Sequence, residues 1–230
     1  MLAYGEVAAV QQLGADLDHL DLIKSIELWQ TLKSTSGPFP TKIYQDLAQH
    51  VMGLGEPLLA YDIVAEGLKL WPTETRLRQL MALALLRSGA VQQALELLQK
   101  LFDEDNRDEE TLGLLARAHK DFANRATDPA ETTKQWGLAY EIYASSYERT
   151  RGYWSGINAA TIARYLNHKE QALVLANRVT DQCLQELARG TGDPGELYWL
   201  QATLGEAALI RGELNDAIKW YTQAGRGAEG

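Results

Sequence analysis

The fold is decided by the stretch at positions 44–72, which reads YQDLAQHVMGLGEPLLAYDIVAEGLKLWP. Two alanines, Ala48 and Ala60, stand twelve residues apart on either side of a turn that contains glycine and proline. Apolar residues recur at helical spacing before and after that turn, so the stretch predicts two antiparallel helices. Small side chains at the two alanines allow the helices to approach closely, while larger neighbours fill the space around them.

The same pair of small residues recurs along the chain. Three further pairs have the same separation of twelve residues: Ala82 and Ala94, Ala160 and Ala172, and Gly205 and Ala217. Ala48, Ala82 and Ala116 also follow one another at intervals of 34 residues. A period of 34 residues is typical of helical hairpins that stack into an array. No segment alternates apolar and polar residues for long enough to predict a strand, so we expect an all-α fold.

The residues around the first pair of alanines occupy the positions of a known repeat motif. They are Tyr44, Leu47, Ala48, Val51, Ala60, Val64, Gly67 and Pro72. Because these residues match the motif, the segment 41–228 resembles the tetratricopeptide repeat (TPR) family. The resemblance implies a right-handed superhelix of antiparallel helix-turn-helix repeats. The second unit departs from the motif at Arg78, where an aromatic residue is usual, and at Asn106, where proline is usual.

The repeat register divides the chain into a cap and five repeats, which we expect to form one continuous solenoid. Residues 1–40 are predicted to be an N-terminal helical cap or a degenerate repeat, with helices inside 3–34 and with Trp29 and Leu32 as core anchors. The predicted repeats span residues 41–74, 75–108, 109–152, 153–197 and 198–230. Terminal units of repeat arrays are atypical because they must close the apolar core.

The third repeat contains an insertion. Its second small residue, Ala139, arrives eleven residues later than the regular spacing requires. Asp128, Pro129 and Glu131 form the pattern of a helix start, with an N-cap carboxylate, a first-turn proline and an acid in the third position. We therefore expect a longer hairpin loop followed by a helix through Glu148.

The composition excludes several classes of function. The chain has 230 residues, 46% of them apolar, and its net charge of −9 gives a pI near 5.0. A general nucleic-acid binder needs an excess of Lys and Arg, which this chain lacks. Its first residues lack the pattern of a signal peptide, and its longest apolar run is far shorter than the roughly 20 residues that span a bilayer. The single cysteine, Cys183, is expected to be a buried, unreactive thiol, and the expected location is the cytoplasm.

The first helices of stacked hairpins line the concave face of such an array, so their outward side chains are candidates for binding. The register places these residues there: Lys42, Gln45, Gln49, Arg76, Gln79, Arg87, Arg117, Lys120, Asn158, Arg164 and Tyr165. Six of them are basic, and Glu110, Asp121 and Glu206 are the main acids expected beside them. A locally basic groove favours an acidic peptide or partner helix. The alternative is that these are ordinary surface charges paired along their helices.

Two aromatic pairs, Tyr153 with Trp154 and Tyr198 with Trp199, stand near the C-terminal end of the predicted groove. They either pack between adjacent hairpins or offer Trp154 and Trp199 as anchors for a partner. The motifs YEIY at 140–143 and GYWSGINAA at 152–160 are similar to the TRAF-binding regulatory domain of certain mitogen-activated kinase kinase kinases and its bacterial relatives. That resemblance implies regulatory scaffolding in signalling.

The sequence shows no convergent set of catalytic or metal-binding residues. The four histidines stand singly, and His119 occupies a packing position of the third repeat. The segment GTGDPG at 190–195 has the letters of a dinucleotide fingerprint, but it follows a predicted helix rather than a strand. The acidic run at 103–110 lacks the glycine and the ligand spacing of a calcium loop and fits a helix start better. We therefore predict no catalytic residues, no metal and no cofactor.

These patterns predict a protein–protein interaction scaffold or regulatory module that binds a peptide or a helix in its concave groove. Two alternatives stay open. One is an enzyme with an active site in the groove, for which Arg117, His119 and Arg164 form the only nearby group. The other is a structural domain that associates with itself as a homo-oligomer.

Overall fold

The computed structural model describes residues 17–34 and 39–228, in which helices are joined by short connections and there is no strand. A 3-10 turn at Leu17–His19 precedes the α-helices. Their bounds are α1 Leu22–Ser34, α2 Thr41–Gly53, α3 Pro57–Leu70, α4 Thr75–Ser88, α5 Val91–Asp103, α6 Glu109–Arg125, α7 Pro129–Thr150, α8 Tyr153–Tyr165, α9 Lys169–Arg189, α10 Pro194–Arg211 and α11 Leu214–Ala228. The chain divides into two compact units, Met1–Arg107 and Asp108–Gly230, called unit 1 and unit 2 below. The predicted all-α class of helical hairpins is confirmed.

Unit 1 contains the hairpins α2 with α3 and α4 with α5, and α1 packs on α2. The small residues at the two helix crossings are completely buried: Ala48, Ala60, Ala82 and Ala94. Large buried side chains surround the first crossing, among them Tyr44, Leu47, Val51, Ile63, Val64, Leu77 and Leu80. Trp29 and Leu32 of α1 join this core, as predicted for anchors of the cap. The start of the predicted cap, before residue 17, lies outside the described residues.

Unit 1 accommodates its two departures from the repeat motif with polar contacts. Arg78 is buried, and its Nη1 donates a hydrogen bond to the carboxylate of Glu104 at 2.5 Å. Thr75 Oγ1 donates to Asn106 Oδ1 at 3.0 Å. A buried guanidinium requires a partner because burial removes the water that would stabilise its charge. The ion pair therefore takes the place of the aromatic packing that is usual at this position.

The contact between Arg78 and Glu104 is expected to make the stability of unit 1 depend on pH. The hydrogen bond from Arg78 holds the pKa of Glu104 below its ordinary value of 4.5. A carboxyl group with a lowered pKa stabilises the fold above its unfolded-state pKa, and this contribution is lost as the pH falls through the folded-state pKa. We therefore expect Glu104→Gln to lower the melting temperature near neutral pH and the difference from wild type to shrink in acid.

Thermal melts between about pH 7 and about pH 3 measure this difference. Glu96→Gln is the matched control, because Glu96 accepts its hydrogen bond from Gln92 on the exposed surface of α5. The control should leave the pH profile unchanged. A Glu104→Gln difference that stays constant across the pH range would show that the ion pair does not act in this way.

Unit 2 contains three hairpins, α6 with α7, α8 with α9 and α10 with α11. The small residues of these hairpins are buried at their crossings: Ala116, Ala139, Ala160, Ala172, Gly205 and Ala217. Large side chains fill the core between them, including Tyr143, Tyr147, Ile157, Ile162, Val179, Leu200 and Leu204. Cys183 is also completely buried, and burial raises the pKa of its thiol to about 12. The predicted burial of the thiol is confirmed, and a raised pKa disfavours the thiolate, which is the reactive form.

The predicted long hairpin loop in the third repeat is wrong. Helix α6 continues to Arg125 and α7 begins at Pro129, so the insertion lengthens the helices to 17 and 22 residues. The predicted helix start is confirmed, because the carboxylate of Asp128 accepts a hydrogen bond from a backbone N–H of the first turn. The helix runs to Thr150, two residues beyond the predicted Glu148. A helix pairs its own backbone groups, whereas a long loop would leave many of them without partners.

The first and fourth repeats place large and small residues in opposite order at the same crossing. In the first repeat, Tyr44 of α2 faces Gly67 of α3, where an added Cβ would lie 3.0 Å from the Tyr44 ring. In the fourth repeat, the equivalent positions hold Gly156 and Val179. An added Cβ at Gly156 would lie 2.6 Å from Val179 Cγ2. The large residue therefore lies on the first helix in the first repeat and on the second helix in the fourth repeat, and the two helices approach closely in both.

Candidate functional site

Two of the predicted groove residues of unit 1 are engaged by neighbouring acids. Lys42 Nζ lies 2.8 Å from the carboxylate of Asp46, one turn along α2. Gln45 Nε2 donates a hydrogen bond to the carboxylate of Glu74 at 2.8 Å. Both acids lie beside the predicted groove residues, so the positive charge there is smaller than the sequence register indicated.

The other predicted groove residues of unit 1 also make contacts within the unit. Arg76 Nη2 donates to Gln49 Oε1 at 3.4 Å, and Gln79 is buried, with 5% of its surface exposed. Arg87 Nη1 donates to the backbone carbonyl of Met52 at 2.8 Å, near the end of α2. Basic side chains commonly satisfy the last carbonyls of a helix in this way. Arg87 therefore has a structural role, because it links α4 of the second hairpin to α2 of the first.

Unit 2 brings several predicted groove residues together on its first helices. Lys120 Nζ of α6 donates to Asn158 Oδ1 of α8 at 3.3 Å. Arg117 Nε lies 3.7 Å from the carboxylate of Asp121, a looser ion pair along α6. Arg164 is exposed, and its guanidinium forms no hydrogen bond or ion pair in the part of the chain that the structure describes. This group is the best-defined part of the predicted site.

Lys120 has an unusual environment for an ammonium group. It is half-buried, and its hydrogen-bond partner is a neutral amide. Within the described residues it makes no ion pair. Burial lowers the pKa of Lys120, and the more distant carboxylates of Asp121 and Glu206 only partly offset this effect. A cation that is partly removed from water and lacks a contacting carboxylate is poorly stabilised.

Tyr165 lies apart from this group. Its ring stacks on that of Trp136, a residue of the second helix α7, with centroids 5.2 Å apart and an interplanar angle of 28°. The ring remains largely exposed. The predicted grouping of Tyr165 with Asn158 on the first-helix face therefore has no direct contact to support it.

Each of the two candidate tryptophan anchors packs against a neighbour with part of its ring and leaves the rest exposed to solvent. Trp154 lies in the first turn of α8 and is 39% exposed. Its ring lies against Gly113 of α6 and edge-on to the Tyr143 ring, with the ring centroids 5.5 Å apart. An added Cβ at Gly113 would lie 2.3 Å from the Trp154 ring, so only glycine permits this position. Trp199 of α10 is 56% exposed and meets Tyr198 edge-on at 5.0 Å. Both tryptophans thus retain apolar surface that a partner can cover.

Sequence reasoning missed the hydroxyl of Tyr143. The residue is completely buried in α7, and its Oη has no hydrogen-bond partner among the described residues. Burial raises the pKa of Tyr143, and Arg117 and Asp121 are the charged groups that act on it. The repeat register assigns the ring to a packing position but carries no signal about the hydroxyl, whose surroundings depend on three helices.

The remaining sequence signals are structural. His119 is buried, and its Nδ1 lies 2.6 Å from Gln135 Oε1, which confirms its packing role. In the acidic run, Asp108 caps α6 by accepting a hydrogen bond from the backbone N–H of Thr111 at 3.0 Å. No group of three or more metal-binding side chains converges in the described residues. None of the helices there has the length and apolar character needed to cross a membrane.

A cleft of about 430 Å³ also lies between the second helices α7 and α9. Its lining includes Tyr140 and Val174 together with Glu148 and Arg178. Arg178 Nη1 lies 3.0 Å from the Glu148 carboxylate, which Arg151 also contacts at 3.1 Å. Glu148 and Arg178 are thus paired with each other, while Glu170 adds a further carboxylate to the lining.

Comparison with known proteins identifies the class of fold. The family model described as Tetratricopeptide Repeats-Sensor matches residues 58–163. The crystal structure of TTC0263, a thermophilic TPR protein in Thermus thermophilus, has a TM-score of 0.67 at 18% identity and covers 83% of this chain and 92% of that one. MamA from residue 41 onward, from Desulfovibrio magneticus RS-1, has a TM-score of 0.53 at 13% identity, with coverages of 82% and 95%. A human IFIT1 dimer with PPP-AAAA has a TM-score of 0.51 at 16% identity, with coverages of 97% and 64%.

The curated proteins include no match to the chain. The matched family and the structural likenesses support a repeat protein of the tetratricopeptide type. The likenesses to solved structures, all below 25% identity, concern the fold alone. The narrower resemblance to the TRAF-binding domain of mitogen-activated kinase kinase kinases finds no support among these matches.

Proposed function

We propose that this chain is a protein-binding module and that unit 2 holds a carboxylate-bearing peptide or helix against its first helices. TPR-type folds generally mediate protein–protein interaction and are typically non-enzymatic scaffolds. The observation that carries the proposal is the half-buried ammonium of Lys120, which makes its hydrogen bond to an amide instead of a carboxylate. A carboxylate from a partner would supply the missing charge, with Asn158 orienting the contact.

The position of Arg164 supports the same kind of partner. Lys120 and Arg164 lie four residues after the small residues Ala116 and Ala160, so they are equivalent positions of successive repeats. Equivalent positions lie on corresponding faces of stacked first helices. Two cations that contact no acid among the described residues therefore line one face of unit 2, and acids spaced along an extended or helical segment can contact both.

The tryptophans supply the apolar part of the proposed surface. Trp154 and Trp199 also occupy equivalent positions, six residues before Ala160 and Gly205. Partly exposed aromatic side chains on a fixed scaffold are favoured anchors in interfaces, because covering them removes apolar surface from water with little loss of side-chain freedom. We propose that the partner places an apolar residue on one of these rings beside its acids.

A peptide-display selection on the immobilised chain tests the proposal, since it requires no candidate partner. We expect enriched peptides to combine Asp or Glu with an apolar residue and to bind less tightly as salt is added. Arg164→Glu should weaken the selected peptide by about tenfold, because it replaces an attraction with a repulsion. Fluorescence anisotropy of the labelled peptide measures the loss.

Lys42→Glu is the matched control, because Lys42 is also an exposed cation on a first helix but belongs to unit 1 and faces Asp46. It should leave the affinity within about twofold of wild type. Selected peptides without acids, or an equal loss in the two variants, would rule out the proposed surface.

Self-association is the second candidate function, and the last hairpin favours it. Leu209 of α10 and Leu214 and Ile218 of α11 are about half exposed or more. Tyr221 is 42% exposed, although the equivalent Tyr143 of the third repeat is completely buried. Apolar faces of this kind are typical of interaction surfaces. The mass of the free chain in solution, measured at several concentrations, decides between the two candidates.

A further inference from the structure

A polar group lies buried next to the proposed binding surface. The Tyr143 ring is fully enclosed, and the Trp154 ring covers it edge-on at 5.5 Å. The Tyr143 hydroxyl has no hydrogen-bond partner among the described residues, although buried hydroxyl groups nearly always have one. A buried donor without a partner destabilises the fold, because it has lost its contact with water. A contact with a bound partner is one way to compensate for that loss.

The covering ring is able to move. Trp154 lies at the first turn of α8, is 39% exposed and rests on Gly113, which has no side chain to hold it. Rotation of an exposed side chain requires no change in the helices and takes place rapidly. The Trp154 ring contacts both Gly113 and the Tyr143 ring, so its departure from Gly113 would uncover the part of Tyr143 that it contacts.

We infer that the Tyr143 hydroxyl is a specificity-determining donor that hydrogen-bonds a carboxylate of the bound partner once Trp154 moves off Gly113. This inference rests on the proposed function and names one subsite of the same surface. The charges that act on the hydroxyl are Arg117 and its ion-pair partner Asp121, and Arg117 lies one turn before Lys120 on α6. Phenol, guanidinium and ammonium groups together favour an oxygen anion. A hydrogen bond from the phenol also depends on the orientation of the bound carboxylate, whereas attraction to the two cations depends mainly on its charge.

The first test concerns the hydroxyl in the unbound chain. Tyr143→Phe keeps the ring and removes only the hydroxyl, so the melting temperature should rise by about 2 °C if the hydroxyl is unsatisfied. Tyr221→Phe is the matched control, because Tyr221 occupies the equivalent position of the last repeat with an exposed ring. A fall in melting temperature for Tyr143→Phe alone would mean that the hydroxyl already has a partner, such as a buried water, and would overturn the inference.

The second test uses N-acetyl-L-glutamate amide as a minimal carboxylate probe and N-acetyl-L-glutamine amide as its neutral counterpart. With 5-fluorotryptophan in the chain, the Trp154 resonance, assigned through Trp154→Phe, should shift saturably with the glutamate probe alone. Tyr143→Phe should weaken that response by about tenfold, as expected for a lost hydrogen bond to a charged group.

The outcomes separate the subsite from the proposed function. An unchanged response in Tyr143→Phe, together with a loss in Lys120→Met, would leave the peptide surface in place and overturn the role of the hydroxyl. If the glutamate probe does not shift the Trp154 resonance of the wild-type chain while a display-selected peptide still binds, the role of the hydroxyl is likewise overturned and the peptide surface is kept. If no acidic peptide is selected either, the proposed function fails as well.

Discussion

Replacing Gly156 with valine is expected to lower the free energy of unfolding by about 2–3 kcal/mol, because it overfills a closed helix crossing. An added Cβ alone would lie 2.6 Å from Val179 Cγ2 and 2.9 Å from the Tyr147 ring. Both neighbours are buried, so neither can move into solvent. The gain in helix propensity over glycine, about 0.4 kcal/mol, is too small to offset the overlap. Chemical denaturation followed by circular dichroism measures the change.

Gly137→Val is the matched control for this substitution. Gly137 also lies inside a helix, α7, but an added Cβ there would meet nothing within 4 Å. Its variant should remain within about 0.5 kcal/mol of wild type. Val179→Ala should partly rescue Gly156→Val, since it removes the group that is overlapped, and the coupling is read from a double-mutant cycle. Equal stabilities for the two glycine variants would contradict the close approach of α8 and α9 at Gly156.

Replacing Lys120 with methionine is expected to weaken an acidic display-selected peptide by at least about tenfold while keeping or raising the melting temperature of the unbound chain. The two effects have one cause. The half-buried ammonium is poorly stabilised in the unbound chain, and the peptide carboxylate would stabilise it on binding. Methionine retains an unbranched apolar stem of similar length, so the packing between α6 and α8 should be kept. Anisotropy titrations and thermal melts measure the two effects.

The binding should also depend on pH through Lys120. Burial lowers the pKa of Lys120 below its ordinary value of 10.5. The charged side chain therefore destabilises the folded chain below the folded-state pKa, and this destabilisation is relieved as the pH rises from the folded-state pKa to the unfolded-state pKa. Stability of the unbound chain should therefore increase across that interval, whereas affinity for the peptide should fall as the ammonium loses its proton. Both changes should be absent from Lys120→Met.

Lys134→Met is the control for the substitution of lysine. Lys134 lies on the exposed surface of α7, where its Nζ is 3.5 Å from the Glu131 carboxylate. Its replacement should change neither the affinity nor its pH dependence. Lys120→Met with unchanged affinity and a lower melting temperature would show that Lys120 is only a structural residue.

The crossings of the helices followed directly from the sequence. Small residues spaced twelve apart, such as Ala160 and Ala172, can stand opposite each other only in a helical hairpin of regular length, and both are completely buried. The start of α7 was equally clear, because the side chain of Asp128 and the missing N–H of Pro129 act within a single turn. These features depend on neighbours in the chain, so the residue pattern was sufficient to predict them.

The structure of the insertion and the partners of the candidate charged residues could not be predicted from the residue pattern. Eleven additional residues fit either a loop or longer helices, and packing of α6 on α7 determined the outcome. The register showed which side chains lie on the first helices but not which groups they meet. Arg87 donates a hydrogen bond to the Met52 carbonyl, whereas Lys120 donates one to the Asn158 amide. Both contacts join residues more than thirty positions apart in the chain.

The sequence by itself thus determined that this chain folds into stacked helical hairpins and where each pair of helices crosses, because residue size and helix caps act at fixed, short separations. The tertiary structure alone decided that, among the described residues, Lys120 contacts no carboxylate and the Tyr143 hydroxyl has no hydrogen-bond partner. Electrostatic and hydrogen-bond partners are set by distances of a few ångströms between different helices, and a pattern along the chain does not specify those distances.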